Sequence, residues 1–508
     1  MMETIVDLLR GAADQATAIS APETVRPLTY GELRALVDAT VRDLNTLGIG
    51  RGDRVVLVVP NGPEAAAAFV CVAAGATAAP LSPGLTADEF MFNLVDLKAK
   101  ALVIQEALPS AAREVAAQLG VKIIELVPDP ARGAGAFGLR PAHRNGAVPS
   151  GSGPAQPEDV ALLLHTSGST SRPKIVPLLH RNLAASARNI GKALQLHPDD
   201  VCLNIMPLFH IHGLMAAVLS SLAAGAQVCC SRGFNALRFF HWFDEVRPTW
   251  YTAVPTMHQA ILSRASRHKE EVARSRLRFI RSSSSSLPPQ VMAEMEGIFG
   301  CPVIEAYGMT EASHQMTCNP LPPRQRRPGT VGVAAGVEVA IMDDEGKILP
   351  RGHTGEVVIR GPNVTPGYEA NPEANENAFV DDWFRTGDQG VLDREGYLQL
   401  TGRLKELINR GGEKIAPIEI DVVLMDHPAV QQCVTFAVPH DKLGEDIAAA
   451  VVLREGRTCT ERELREFAAH RLEHWKVPRK LLFVSEIPKG RTGKLQRIGL
   501  AAKLGLTG

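Results

Sequence analysis

The sequence predicts an α/β protein made of several sheet units, and three observations carry that expectation. Strand-like and helix-like segments alternate between residues 29 and 127, as they do where crossover helices join parallel strands. A stretch rich in Pro, Gly, Ala and Ser, 129–158, then separates a first such unit from a second. Beyond the second unit come short strand-like segments divided by turn sequences, followed by an α+β end of about a hundred residues, an ordinary domain size.

Taken in order, Thr29-Tyr30-Gly31-Glu32 forms a capping box. Leu33, Leu36, Val37, Val41, Leu44 and Leu47 recur at helical spacing until Gly48 ends the helix. Residues 54–59 read as a strand, 64–74 as a helix, 101–104 as a strand, 111–119 as a helix and 122–127 as a strand. The apolar run 160–164 reads as a buried strand opening the second unit. An Ala/Leu-rich helix follows Pro207-Leu208-Phe209-His210-Ile211-His212-Gly213, residues 250–255 end an extended segment, and 277–281 lead into a serine run, 282–286. Segments 337–342, 356–360 and 397–400 are separated by Asp-Glu-Gly, Gly-Pro-Asn and Glu-Gly turns, which suits a small antiparallel unit closing the large domain. Segments 419–425, 450–453, 461–472 and 481–484 make up the α+β end.

Composition narrows the function classes. At 508 residues the chain has room for about three domains. A net charge of −1 with no long basic run argues against nucleic acid or an anionic membrane as the main partner. The apolar runs 65–81 and 214–230 are Ala-rich and broken by Gly, Ser or Thr, so stable membrane insertion is not expected. The start carries Glu3 and Asp7 rather than a basic segment before a long apolar one, which argues against a secretory signal. Eight scattered cysteines without a CxxC pair suit reduced thiols in a cytoplasmic enzyme.

Residues 165–177, HTSGSTSRPKIVP, hold the densest chemistry. Thr166, Ser167, Ser169, Thr170 and Ser171 crowd around Gly168, and Arg172 and Lys174 follow. Hydroxyls, an unencumbered backbone and two cations suit a phosphate chain, although a plain polar surface loop has the same composition. It is not a Walker A loop, because Pro173 precedes Lys174 and Ile175 follows it. In Tyr307-Gly308-Met309-Thr310-Glu311 a carboxylate beside a hydroxyl suits Mg²⁺ near a triphosphate. Asp388, in Thr386-Gly387-Asp388, is placed either to accept from a ribose diol or to close a β-turn. Two glycine-containing stretches complete the set, 402–415 with Arg403, Lys405 and Gly411-Gly412, and 488–494 ending in Lys494.

In this order, from residue 166 to 494, these stretches resemble the adenylate-forming superfamily of acyl-CoA synthetases, luciferases and peptide-synthetase adenylation domains. The family form of the first is close to TSGTTGxPKG, from which this chain differs at Ser169, Ser171 and Ile175. The resemblance covers essentially the whole chain. It implies a large N-terminal domain, 1–404, of two α/β sheet subdomains plus a small β-barrel-like unit, and a small mobile α+β C-terminal domain, 405–508. It implies an ATP-dependent acyl-CoA synthetase that uses Mg²⁺, with CoA as co-substrate. A carboxylate attacks ATP to give an acyl-adenylate and pyrophosphate, and a thiol then displaces AMP. Carried over residue by residue, Thr166, Ser167, Gly168, Ser169, Thr170 and Lys174 bind phosphate, and Tyr307 packs on adenine. Thr310 meets the α-phosphate, Glu311 is the Mg²⁺ ligand and Asp388 holds the ribose. Arg403 reaches the ribose or a phosphate, Lys405 is the hinge, and Lys494 is catalytic.

The acid is the harder inference. His210, His212, 282–286 and His314 are expected beside the reacting centre, and hydroxyls and imidazoles suit a small acid with a second polar or anionic end. The wording HTSGSTSRPK, MPLFHIHG, WYTAVPT, LRFIRSSSSSL, EAYGMTEASH and INRGGEKI resembles the oxalyl-CoA synthetase branch of the family. That implies oxalate, with Ser284, His314 and His210 holding its distal carboxylate. Malonate, another short or aromatic acid, or a fatty acid remain open, as does a non-catalytic nucleotide-binding descendant. A peptide-synthetase module would normally continue into a carrier domain, and no such segment follows Lys494. The chain is expected to be a monomer or a homodimer.

Overall fold

The computed structural model describes residues 3–24, 26–141, 149, 151–166, 173–490 and 493–506. Among the described residues the strands form four sheets. A seven-stranded sheet runs in the order Phe137–Pro141, Lys122–Pro128, Ala101–Gln105, Arg54–Val58, Thr77–Pro80, Val160–His165, Ile175–Leu179, with parallel interior pairs and an antiparallel strand at each edge. A nine-stranded sheet holds six parallel strands at its centre, Val303–Met309, Phe279–Ser283, Trp250–Ala253, Val201–Asn204, Gln227–Cys230 and Thr17–Ser20. The expected antiparallel unit is a five-stranded sheet containing Glu338–Met342, Thr354–Arg360, Trp383–Leu392 and Leu398–Arg403. The C-terminal α+β unit pairs the long strands Val430–His440 and Gly444–Leu453 and carries the helices Pro417–Met425 and Glu461–Ala469.

The local rules hold where the signals are strong. Thr29 caps the helix Tyr30–Thr46 and Glu32 returns the bond to the Thr29 N–H. The helix buries Leu33, Leu36, Val37, Val41 and Leu44, the residues of its apolar stripe.

Three expectations are corrected. The segment 129–158 is not a boundary between sheets: Phe137–Pro141 adds a strand to Lys122–Pro128, and Val160–His165 joins the same sheet beside Thr77–Pro80. A loop-like composition hid both, because edge pairing is a long-range choice that local sequence does not record. The helix after Gly213 is a π-helix, His212–Leu219, a wide form that often marks functional sites. Ile175, which departs from the family loop, is a strand residue: it pairs with His165 and is 8% exposed in an apolar cluster with Val56, Ile104 and Leu163.

The parallel strands of the nine-stranded sheet end along one edge. Chain order reverses between Val201–Asn204 and Trp250–Ala253, since the chain leaves the first for one side of the sheet and returns for the second on the other. Ligands of open α/β sheets bind outside the carboxyl ends of strands at such a switch point. The loops that begin there carry His210, His212, Ser284, Thr310 and Glu311.

Replacing Ile175 with the family glycine removes buried apolar volume from a strand. Ile175→Gly should therefore cost about 3–5 kcal/mol of stability, read as a lower urea midpoint; an unchanged midpoint would place Ile175 in the loop rather than the core.

Candidate active site

At the entrance to the candidate phosphate loop, the Thr166 N–H donates to the Lys174 carbonyl at 2.9 Å and the Lys174 N–H donates to Thr166 Oγ1 at 3.1 Å. This closes the two ends of the loop on each other. Ser167, Gly168, Ser169 and Thr170, expected to bind phosphate, lie outside the described residues, as do Ser171 and Arg172. The Lys174 ammonium sits 4.3 Å from the centre of the Tyr368 ring, and the Tyr368 hydroxyl donates to Glu311 Oε1 at 2.9 Å. Lys174 and Glu311, far apart in sequence, thus meet across one aromatic ring. Tyr368 was missed by sequence reasoning, since a tyrosine after Pro366-Gly367 carries no local signal of this role.

Glu311 follows the strand Val303–Met309 in a short 3₁₀ turn, Thr310–Ala312, and is 5% exposed. Burial raises its pKa, opposed by its hydrogen bonds and by the nearby Arg403 and Lys174. The two residues after the turn Thr310–Ala312, Ser313 and His314, both have positive φ, +49° and +93°. Such conformations cost about 1–3 kcal/mol each in non-glycine residues and persist only where neighbours enforce them. Ser186 Oγ donates to the Ser313 carbonyl at 2.5 Å and Asn363 Nδ2 to the Ala312 carbonyl at 2.7 Å. Gly308 permits the close turn, because a Cβ there would lie 1.8 Å from the His314 carbonyl oxygen. The side-by-side hydroxyl and carboxylate of Thr310 and Glu311 are hard oxygen donors and fit Mg²⁺, which takes one or two carboxylates and completes its shell from phosphates and water.

Asp388, on the strand Trp383–Leu392, links the sheets. The Tyr307 hydroxyl donates to its Oδ2 at 2.5 Å, and Arg403 Nε lies 3.2 Å from Oδ1. Burial is the largest influence on Asp388 and raises its pKa, with Arg403 opposing. Arg403 is more than half exposed and faces Asp388 across the register pair of the two antiparallel strands. Lys405 follows in the turn Leu404–Glu406, between the last strand of one five-stranded sheet and the first of the other.

Lys494 reaches the same place from the C-terminal unit. Its loop is tied down where Thr256 Oγ1 donates to the Gly493 carbonyl at 2.7 Å and the Gly490 N–H donates to the Lys494 carbonyl at 2.8 Å. Burial, with Arg403 adding repulsion and Asp388 opposing, pushes the Lys494 pKa down to about 8. Its charge is felt by His210, His212 and His314, whose pKa values fall mainly through burial, that of His210 to about 3.

The three predicted acid-pocket residues lie around a fourth. His212 is fully buried; its Nδ1 is 2.9 Å from Ser284 Oγ and its Nε2 is 2.7 Å from Thr252 Oγ1. The His314 ring is tilted against the His212 ring at 4.9 Å between centres, and neither of its nitrogens has a hydrogen-bond partner among the described residues. His210 Nδ1 accepts the His212 N–H at 3.3 Å. Ser284 holds φ +74°, a backbone strain of the kind found at ligand sites. Beneath them Arg281 is 0% exposed, its Nη2 3.0 Å from Gln315 Oε1. Arg281 was missed by sequence reasoning, and its signal was an arginine inside the apolar strand Phe279–Ser283 just before the serine run.

The comparisons with known proteins follow this geometry. A family model described as AMP-binding enzyme matches residues 10–369, and one described as AMP-binding enzyme C-terminal domain matches residues 419–494. An oxalate–CoA ligase of Arabidopsis thaliana is 46% identical over 476 residues, covering 92% of each chain. An oxalate–CoA ligase of Saccharomyces cerevisiae is 42% identical over 509 residues, covering 94% of this chain and 93% of its own. Among solved structures, ATP-bound MatB from Rhodopseudomonas palustris matches with a TM-score of 0.85 at 30% identity, covering 98% of this chain and 97% of that one.

Gly308→Ala tests the turn that aims Glu311 and His314. The added Cβ must displace the His314 carbonyl, and a shift near 1 Å at a reacting centre can cost about 100-fold in rate. Catalysed ATP–pyrophosphate exchange should fall by about that factor; exchange at the unaltered rate would mean that the turn does not position the site.

Proposed function

The chain belongs to the AMP-binding enzyme family, and from that premise we propose that it joins oxalate to CoA, with ATP cleaved to AMP and pyrophosphate. It is an AMP-forming acid–CoA ligase, and it uses ATP, Mg²⁺ and CoA. The choice of oxalate rests chiefly on one observation: Ser284, His210, His212 and His314 converge at the sheet edge, and among the described residues no carboxylate is bonded to any of them. A buried carboxylate needs donors around it, and this cluster supplies them next to Lys494. The two oxalate–CoA ligases support the same choice.

In this reading one carboxylate of oxalate attacks the α-phosphorus. A P–O bond forms to the acid, the bond to the β-phosphate oxygen breaks, and pyrophosphate leaves. Ser284, His314 and His210 hold the distal carboxylate. Lys494 stabilises the charge on the transferring phosphate, as preorganised cations do in phosphoryl transfer. Thr166, Ser167, Gly168, Ser169, Thr170 and Lys174 hold the phosphate chain, Thr310 meets the α-phosphate and Tyr307 packs against adenine. Asp388 accepts from the ribose hydroxyls and Arg403 reaches the ribose or a phosphate. Glu311 would hold Mg²⁺, which would offset phosphate charge when bound. In the second step the CoA sulfur, its proton lost to solvent, forms the C–S bond as the acyl C–O bond to the phosphate breaks and AMP departs.

Only one of these steps uses Lys494 at the centre. The chain therefore divides near 404/405, and the C-terminal part swings about Lys405 to withdraw the lysine and admit the thiol. The eight cysteines are unpaired, as suits the cytoplasm, and no described helix is long and apolar enough to cross a membrane. The enzyme works there as a monomer or homodimer.

CoA-dependent AMP release should be far faster with oxalate than with malonate, acetate, benzoate or a medium-chain fatty acid at equal concentration. A fatty or aromatic acid in the lead would overturn the choice of acid. Lys494→Ala should abolish adenylate formation yet leave thioester formation from supplied acyl-adenylate largely intact; equal loss of both would contradict the swing. The pH dependence follows from the lowered Lys494 pKa. Below about 8 the ammonium is charged, and as pH rises through that value the charge is lost. The kcat/KM for adenylation, which reports the free enzyme, should therefore fall above about pH 8, whereas a flat alkaline limb would remove Lys494 from that step.

A further inference from the structure

We propose that Arg281 is a positioning residue for the acid: it sets the direction of the hydrogen-bond chain Arg281–Thr252–His212–Ser284, so that Ser284 presents a proton to the distal carboxylate. The inference rests on the polar-acid reading of the pocket and adds a residue that never touches the substrate.

Arg281 Nη1 lies 3.3 Å from both Thr252 Oγ1 and His212 Nε2, and Nη2 lies 3.0 Å from Gln315 Oε1. Nε has no partner, and no carboxylate is bonded to the group among the described residues. A guanidinium only donates. Nη1 bonds both atoms only when each offers it a lone pair, and in that arrangement His212 Nε2 is the unprotonated ring nitrogen. Thr252, accepting from Arg281, directs its own proton to His212 Nε2 at 2.7 Å. The neutral ring then carries its proton on Nδ1 and donates it to Ser284 Oγ at 2.9 Å. Ser284, having accepted, keeps its O–H for the pocket. Every link donates outward, from a buried cation toward the place where an anion binds.

Without a donor-only group at 281 the chain can reverse. His212 would protonate Nε2, donate to Thr252 and accept from Ser284, which would then turn a lone pair toward the carboxylate. The positive charge adds to the effect. Buried and without a carboxylate partner, Arg281 leaves a net positive field under the pocket, and an anion relieves it. Burial together with His314 and Arg281 keeps the His212 ring neutral, as the relay requires.

The test uses the full chain labelled with ¹⁵N-histidine. The His212 signal is identified among the 15 histidines by its loss in His212→Gln. The unaltered protein should show the Nδ1–H tautomer, and an Nε2–H tautomer there overturns the proposal whatever the variants do. Arg281→Met should switch the tautomer and raise the KM for oxalate about 10- to 100-fold, the range of one to two such hydrogen-bond reversals, with the KM for ATP unchanged. Arg281→Lys, which keeps a donor-only cation, should restore the Nδ1–H form and most of the oxalate KM. Equal rises in both KM values would mark Arg281 as merely structural. If the unaltered enzyme rejects oxalate and accepts another acid, the choice of acid fails, and the tautomer still decides the role of Arg281.

Discussion

Desolvation at the carboxyl edge of the nine-stranded sheet governs this protein. Burial raises Glu311 and Asp388 and lowers Lys494, His210, His212 and His314. Each group is pushed toward its neutral form because water is kept from it. A triphosphate, a divalent cation and a dianionic acid bring the opposite charges, and in a site of low dielectric those charges interact strongly. The scaffold fixes these groups beforehand, with Glu311, Asp388, His212 and His314 buried and His210 and Lys494 partly exposed, so little reorganisation remains when the substrates arrive.

Long-range contacts maintain that arrangement. Tyr307 reaches from the nine-stranded sheet to Asp388 on the antiparallel one, and Tyr368 reaches Glu311 while its ring receives Lys174. Asn363 and Ser186 enforce the strained turn before His314. On the C-terminal side, Thr256 meets Gly493, Gln259 exchanges hydrogen bonds with Gln431 and Gln432, and Arg454 approaches Glu294 at 3.6 Å. Apolar packing accompanies these polar contacts, since one buried cluster includes Met257 and Ile261 together with Ile420 and Leu424.

Much of this was legible in the sequence, for identifiable reasons. The capping box at Thr29, the alternation of strand and helix, and the turn-divided strands near 340–400 are local signals that the fold obeys. Glu311, Asp388, Arg403 and Lys494 stood out through the family motifs they resemble, since each alone reads equally well as a turn or solvated residue. The strand Phe137–Pro141 and the sheet partner of Val160–His165 were hidden, since both depend on a distant edge. The π-helix at His212 looks like any Ala/Leu-rich helix in one dimension. Tyr368, Thr252 and Arg281 gain their roles only through space, and Arg281 stood out no further than as a charge in an apolar strand.

The most direct test is a crystal structure of the full chain with a non-hydrolysable oxalyl-adenylate analogue. The account predicts the distal carboxylate about 3 Å from Ser284 Oγ and from a His314 ring nitrogen, with Lys494 at the phosphate and Asp388 on the ribose. An acyl group directed away from Ser284 and His314, with those side chains still bonded only to protein, would contradict it.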